Sequence, residues 1–145
     1  MKISLCSLIG ALGAIVAALF GGWDSSFVTL LIFMGADYVS GLILAGVFHK
    51  SQKTDTGALE SNIGFKGICR KGMILLIVLV AHRLDLAIRT NYFRDAVIIA
   101  FIVNESISIA ENAGLMGIKL PPVLAKGIDV LQKKKETEEQ KYGDQ

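Results

Sequence analysis

The chain has 145 residues, 52% of them apolar, with a mean hydropathy of +0.54, which is more than a water-soluble fold of this size carries. Its 15 basic and 13 acidic side chains leave a net charge of only +2 and are segregated along the sequence, so no basic nucleic-acid face follows from them. Cys6 and Cys69 are too few for a disulfide framework or a dense Cys/His metal cluster, and no cofactor is expected.

A hydrocarbon core of about 30 Å takes roughly 20 apolar helical residues per crossing. The expected fold class is therefore an all-α integral membrane protein with about four transmembrane helices. The alternative is three, with a re-entrant or interfacial helix.

The first expected helix, about 3–20, is uncharged and rich in small residues. Gly10, Ala14 and Ala18 recur at four-residue spacing, with Gly13 and Ala17 on an adjacent stripe, a pattern that lets helix backbones approach closely in lipid. Its exit, Ala18-Leu19-Phe20-Gly21-Gly22-Trp23, lacks the small-x-small pair of a cleaved leader, so the segment is read as a membrane helix.

The second helix, about 27–48, is interrupted only by Asp37. Its Leu, Ile, Val and Phe residues supply about −4 to −7 kcal/mol of insertion free energy, against about +2.5 to +3.5 for a central acid. It inserts, and Asp37 must avoid lipid. Gly41 and Ala45 follow on the Asp37 face at i+4 and i+8, which predicts a close helix contact there.

The stretch from His49 to Lys71 reads as a polar loop, with Lys50, Lys53, Lys66, Arg70 and Lys71 against Asp55 and Glu60. Basic flanks stay cytoplasmic, so this loop is expected inside and the Gly21–Ser26 turn outside. A third helix, about 70–89, has an uncharged core only from Gly72 to Ala81, and Asp85 and Arg89 at i and i+4 predict a pair near its end.

A fourth helix, about 95–113, is marginal: its apolar residues supply about −2.4 to −4.8 kcal/mol, which a central Glu and its Asn neighbour roughly cancel. Asn104, Glu105, Ser108, Glu111 and Asn112 are expected to share one polar face that meets protein or water. Pro121 and Pro122 force a turn into a short amphipathic surface segment, 121–131, and the charged tail, 132–145, is expected to be disordered and cytoplasmic. Residues 1–131 form the expected membrane domain. With both termini inside, 12 of the 15 Lys/Arg lie on the cytoplasmic side.

No enzyme constellation is visible, because His49 and His82 belong to no ligand spacing or nucleophile-base pair. The glycines of Gly64-Phe65-Lys66-Gly67 follow no strand and make a weak phosphate cradle. What remains is intramembrane polarity: Asp37, Asn104, Glu105, Ser108, Glu111 and Asn112.

Asp37-x-x-x-Gly41, the run Ser61-x-x-Gly64-x-x-Gly67-x-x-Arg70-Lys71, Asp85, and Asn104-Glu105-Ser106-Ile107-Ser108-Ile109-Ala110-Glu111-Asn112 with Gly117 and Pro121 resemble the toxin-secretion and phage-lysis holin family. The resemblance covers roughly 32–131, and Glu-x-x-Ser-Ile-x-Glu-Asn is its most specific part. It implies a small phage or prophage protein that homo-oligomerises in the bacterial cytoplasmic membrane and makes holes. Those holes release an endolysin, a functional partner that need not be bound, or a toxin.

The competing expectation is a small proton-coupled transporter, since buried carboxylates in a few helices also serve transport. A third is a membrane adaptor acting through the tail.

Overall fold

The computed structural model describes residues 2–143, which form five α-helices and no strand: α1 (Lys2–Phe20), α2 (Ser25–Gly46), α3 (Ser61–Ile88), α4 (Phe93–Leu115) and α5 (Pro122–Gly143). The all-α class holds. Ser25–Gly46 alone among the described helices is long and apolar enough to cross a membrane, and the apolar stretch of α1, Ser4–Phe20, falls short of that length.

Asp24 starts α2 by accepting the Phe27 N–H on its side chain at 3.0 Å, which satisfies one of the helix's open donors. Phe27, Leu30, Met34, Asp37 and Leu44 then recur on one stripe and are buried. Most of that stripe packs on α4, the most extensive interface in the chain, and Phe27, Leu30, Met34, Val78, Ile98 and Ile102 form the core.

Because α4 takes the α2 face, α1 approaches α3 and is largely exposed, touching the core through Val16 and Phe20, whose ring stacks on Phe27 at 5.0 Å. Gly10, Ala14 and Ala18 face outward, and nothing lies where a side chain on Gly10 or Gly13 would go. Gly13 and Ala17 are half-buried, and the Gly13 carbonyl accepts the Trp23 indole N–H at 3.0 Å. The close-packed small-residue face expected of the first helix is thus not formed within the chain.

The third helix begins at Ser61, well before the expected residue 70, so Gly64, Gly67, Arg70 and Lys71 belong to a helix rather than a loop. The remaining loop is compact: Ser51 N–H donates to the Gly57 carbonyl at 3.0 Å and the Thr54 hydroxyl to the Ala58 carbonyl at 2.9 Å. Gly57 sits at φ 72°, with the His49 carbonyl oxygen 2.2 Å from where a Cβ would stand, so only glycine fits.

The expected Asp85–Arg89 pair gives way to something else. Arg89 adopts the left-handed conformation that ends α3, at φ 57° and ψ 45°. Asp85 turns to the next helix: it accepts the N–H groups of Tyr92 and Phe93 at 3.1 Å and of Arg94 at 2.8 Å, and the Thr90 hydroxyl at 2.7 Å. Tyr92 offers no side-chain cap, so α4 borrows a carboxylate from α3, which also suits the positive end of its dipole.

At this same end Arg94, buried, donates to the Phe20 and Gly22 carbonyls and clasps Asp24 through two bonds of 2.8 and 3.0 Å. The α1–α2 and α3–α4 turns are thereby pinned together. The hydrogen bond from Arg94 holds the Asp24 carboxyl below its ordinary pKa of 3.8. The clasp is therefore complete above that range and is lost as pH falls through the lowered value.

The segment expected as a short surface helix followed by a disordered tail is instead one helix, α5, from Pro122 to Gly143; residues 144–145 lie outside the described ones. Pro122 occupies the first helical position, where a missing N–H costs nothing. The tail is rich in Lys, Glu and Gln, all good helix formers, and Gln132–Glu136 and Lys135–Glu139 interact at i,i+4. Low hydrophobicity argued for disorder, but local propensity and packing on α4 outweigh it: Leu131 touches the core and Tyr142 stacks on Tyr92 at 4.4 Å.

Candidate functional site: an ion-paired polar cluster between three helices

Lys71 on α3 reaches between α2 and α4, where its ammonium donates to Asp37 Oδ2 at 2.8 Å and to Glu105 Oε2 at 2.5 Å. Both carboxylates are buried, with side chains 8% and 9% exposed, and Lys71 is 16% exposed. Asn112 adds a fourth member, donating to Ser40 Oγ at 2.8 Å and to Asp37 Oδ1 at 3.4 Å, while the Ser40 hydroxyl donates to the Asp37 carbonyl at 3.0 Å. No buried side-chain nitrogen or oxygen among the described residues lacks a partner.

Helical spacing explains the convergence. Asp37 and Gly41 lie on the α2 stripe that faces α4, and a Cβ on Gly41 would stand 3.9 Å from the Asn112 amide. On α4, Ile98, Ile102, Glu105 and Asn112 recur on the buried stripe that faces back. Ala45 is buried as well. Asp37 and Glu105 each come twelve residues after their helix starts, about 18 Å along the axis from the Arg94 clasp.

A cavity of about 520 Å³ opens beside the cluster toward the 51–60 loop. Asp37, Lys71, Glu105, Ser108, Glu111 and Asn112 line it from the bundle, and Lys53, Glu60, Lys66 and Arg70 line it nearer the loop. Tyr38 crosses it, with its ring 3.6 Å from where a Cβ on Gly67 would lie and its hydroxyl 3.7 Å from the same point on Gly64. Those two glycines let α3 approach α2 here.

Of the six polar residues expected to act together, five line this cavity and one does not. Asn104 is exposed on another side of α4, where the Lys135 ammonium donates to its side-chain oxygen at 3.2 Å. A position one residue before Glu105 is rotated by about 100° on a helix and cannot share its face. Ser61 is exposed at the start of α3, apart from the cluster.

Sequence reasoning placed Lys71 in a basic cytoplasmic loop and in the family motif but not against the two acids, although it directly borders the uncharged Gly72–Ala81 run, and it missed Arg94. Nothing local to Arg94 announces its clasp, whose acceptors lie some 70 residues away.

Two carboxyl groups and one ammonium thus meet between three helices beside a cavity large enough to hold water. Such a cluster binds the helices to one another while they are together and offers a polar lining if they part. Among the described residues no group of three or more His, Cys, Asp or Glu could hold a metal ion.

Comparison with known proteins places this architecture. A profile of the bacteriophage holin family matches residues 14–133. The chain belongs to the bacteriophage holin family. The match includes Asp37, Lys71, Glu105 and Asn112 and most of the bundle. Among the relatives of this chain, an uncharacterized protein of Listeria innocua, Lin0175, is 42% identical over 143 residues, covering 98% of this chain and 96% of its own. An uncharacterized 14.9 kDa protein from the nagH 3' region of Clostridium perfringens is 39% identical, covering 88% and 92%. A probable holin of Bacillus phage phi105 is 29% identical over 118 residues, 80% of each chain. No solved structure matches.

Proposed function

We propose that this chain is a working holin: it accumulates in a bacterial cytoplasmic membrane, assembles with copies of itself and opens lesions through which an endolysin, or a toxin, leaves the cell. The observation that carries the proposal is the Asp37–Lys71–Glu105 cluster, buried inside a bundle that exposes long apolar faces on α1 and α3. Leu5, Leu8, Ile9, Leu12 and Ile15 on α1, and Met73, Leu76, Val80 and Leu84 on α3, are all exposed. Polar groups inside and apolar groups outside suit a lipid solvent, and family membership agrees.

In the proposed arrangement α1 to α4 each cross the membrane, with the Arg94 clasp outside, the 51–60 loop inside and both termini cytoplasmic. The distribution of Lys and Arg supports this orientation. A cysteine placed at Ser25 is expected to react with an impermeant thiol reagent in intact cells, and one at Thr56 only after permeabilisation. External labelling at Thr137 would contradict the orientation.

The direct test is inducible expression beside a cytosolic endolysin that lacks its own export signal. The expected record is a delay, then abrupt depolarisation and a fall in turbidity, because assembly in lipid needs a critical density of protein. Harmless accumulation accompanied by export of a small cation would instead support the proton-coupled transporter, the reading favoured by a carboxylate-lined cavity open toward one end of the bundle.

A further inference from the structure

The α5 helix lies along α4 in the reverse direction: Lys135 meets Asn104 near the middle of α4, and Tyr142 stacks on Tyr92 where α4 begins. This brings Lys133, Lys134, Glu136, Glu138 and Glu139 alongside the central turns of α4. None of these side chains is buried, so in a membrane they would face hydrocarbon. A docked α5 and a membrane-spanning α4 therefore exclude each other.

Removing α5 uncovers a specific surface. Phe93, Val97, Ala100, Asn104 and Ile107 follow one another at alternating spacings of four and three, the seam of a helix pair; none of them is fully buried, and Val97 alone of the five also packs against the chain's own core. The face with Ile98, Ile102 and Glu105 is already committed to the chain's own bundle. The uncovered stripe is apolar except at its centre, where Asn104 loses its Lys135 donor and is left in lipid.

We infer that this stripe is the contact between two copies of the chain, closed by Asn104 pairing with Asn104 of the second copy, and that docked α5 is a strap that occupies it before insertion. An amide carries both donor and acceptor, so Asn is complementary to itself. Copies inserted in one orientation align their α4 helices in parallel, so that Asn104 meets Asn104. A lone Asn at such a position in an apolar seam sets register and holds two helices together. The inference rests on the lesion-forming reading for its consequence and on α4 and α5 for its contact.

The test uses full-length protein in bacterial membranes with Cys6→Ser and Cys69→Ser, and single cysteines introduced at Ala100, Asn104, Ile107 and Val103. Under mild oxidation, disulfide-linked dimers are expected at the first three positions and not at Val103, which is buried in the chain's own bundle. In a second arm, Tyr92→Cys with Tyr142→Cys, a stacked pair outside the stripe that leaves Asn104 in place, is bridged by a short, thiol-cleavable bis-maleimide. Lysis is expected to be lost while the bridge holds and to return on cleavage.

Membrane-resident protein with no dimer at Asn104, dimers formed equally at Val103, or bridged chains lysing on schedule would each overturn the inference. Dimers at the three positions without any lesion would leave the contact standing and remove the lesion-forming reading. Lysis without dimers would remove the contact alone.

Discussion

Lys71→Met is expected to cause the largest loss of protein. It leaves the Asp37 and Glu105 carboxylates facing one another with side chains less than a tenth exposed and no cation between them. Removing one partner from a buried ion pair costs about 3–5 kcal/mol, comparable with the whole stability of a small domain. A pulse-chase of the membrane fraction should show rapid degradation.

The triple variant Asp37→Leu, Lys71→Met, Glu105→Leu should recover normal membrane levels, because apolar side chains of similar size replace a buried ionic cluster at little cost. It should also fail to lyse, since the ionic cluster at the helix junction would be gone. Wild-type half-life for Lys71→Met would mean that the cluster does not hold the bundle together.

Glu105→Leu separates stability from function most sharply. Lys71 keeps Asp37 as its partner, and exchanging an acid for Leu at the middle of α4 favours insertion by about 3–4 kcal/mol. Membrane accumulation is therefore expected to be normal or raised, while lysis is delayed or absent because the polar lining loses the acid that α4 contributes at its centre. Asp37→Leu should impair opening in the same way without reducing insertion. Glu111→Leu should be milder, since Glu111 is exposed at the edge of the cavity. Turbidity and membrane potential after induction, at matched membrane levels, decide the matter: lysis by Glu105→Leu at the wild-type time would reduce the cluster to packing.

Residue type and spacing were enough to predict an all-helical chain, a buried Asp37 with Gly41 and Ala45 on its face, and a costly Glu105 in α4 that demands a partner. These follow from local rules: helical periodicity decides which residues share a face, and the insertion cost of a charge decides that it must be covered. The resemblance in the Glu105–Asn112 stretch also points to the holin family from sequence alone.

The tertiary structure decided which partner covers each charge. Lys71 is 34 residues from both Asp37 and Glu105, and Arg94 is 70 residues from Asp24, so neither pairing is a matter of local spacing. Asp85 had two possible uses, a pair with Arg89 or a cap for α4, and the left-handed turn at Arg89 selected the cap. Asn104 and Glu105 are neighbours in sequence but face different surroundings, because α2 and α3 take one side of α4 and α5 takes another. Which surfaces are left for neighbours depends on how the five helices share a limited area of contact, a property of their packing together rather than of any segment alone.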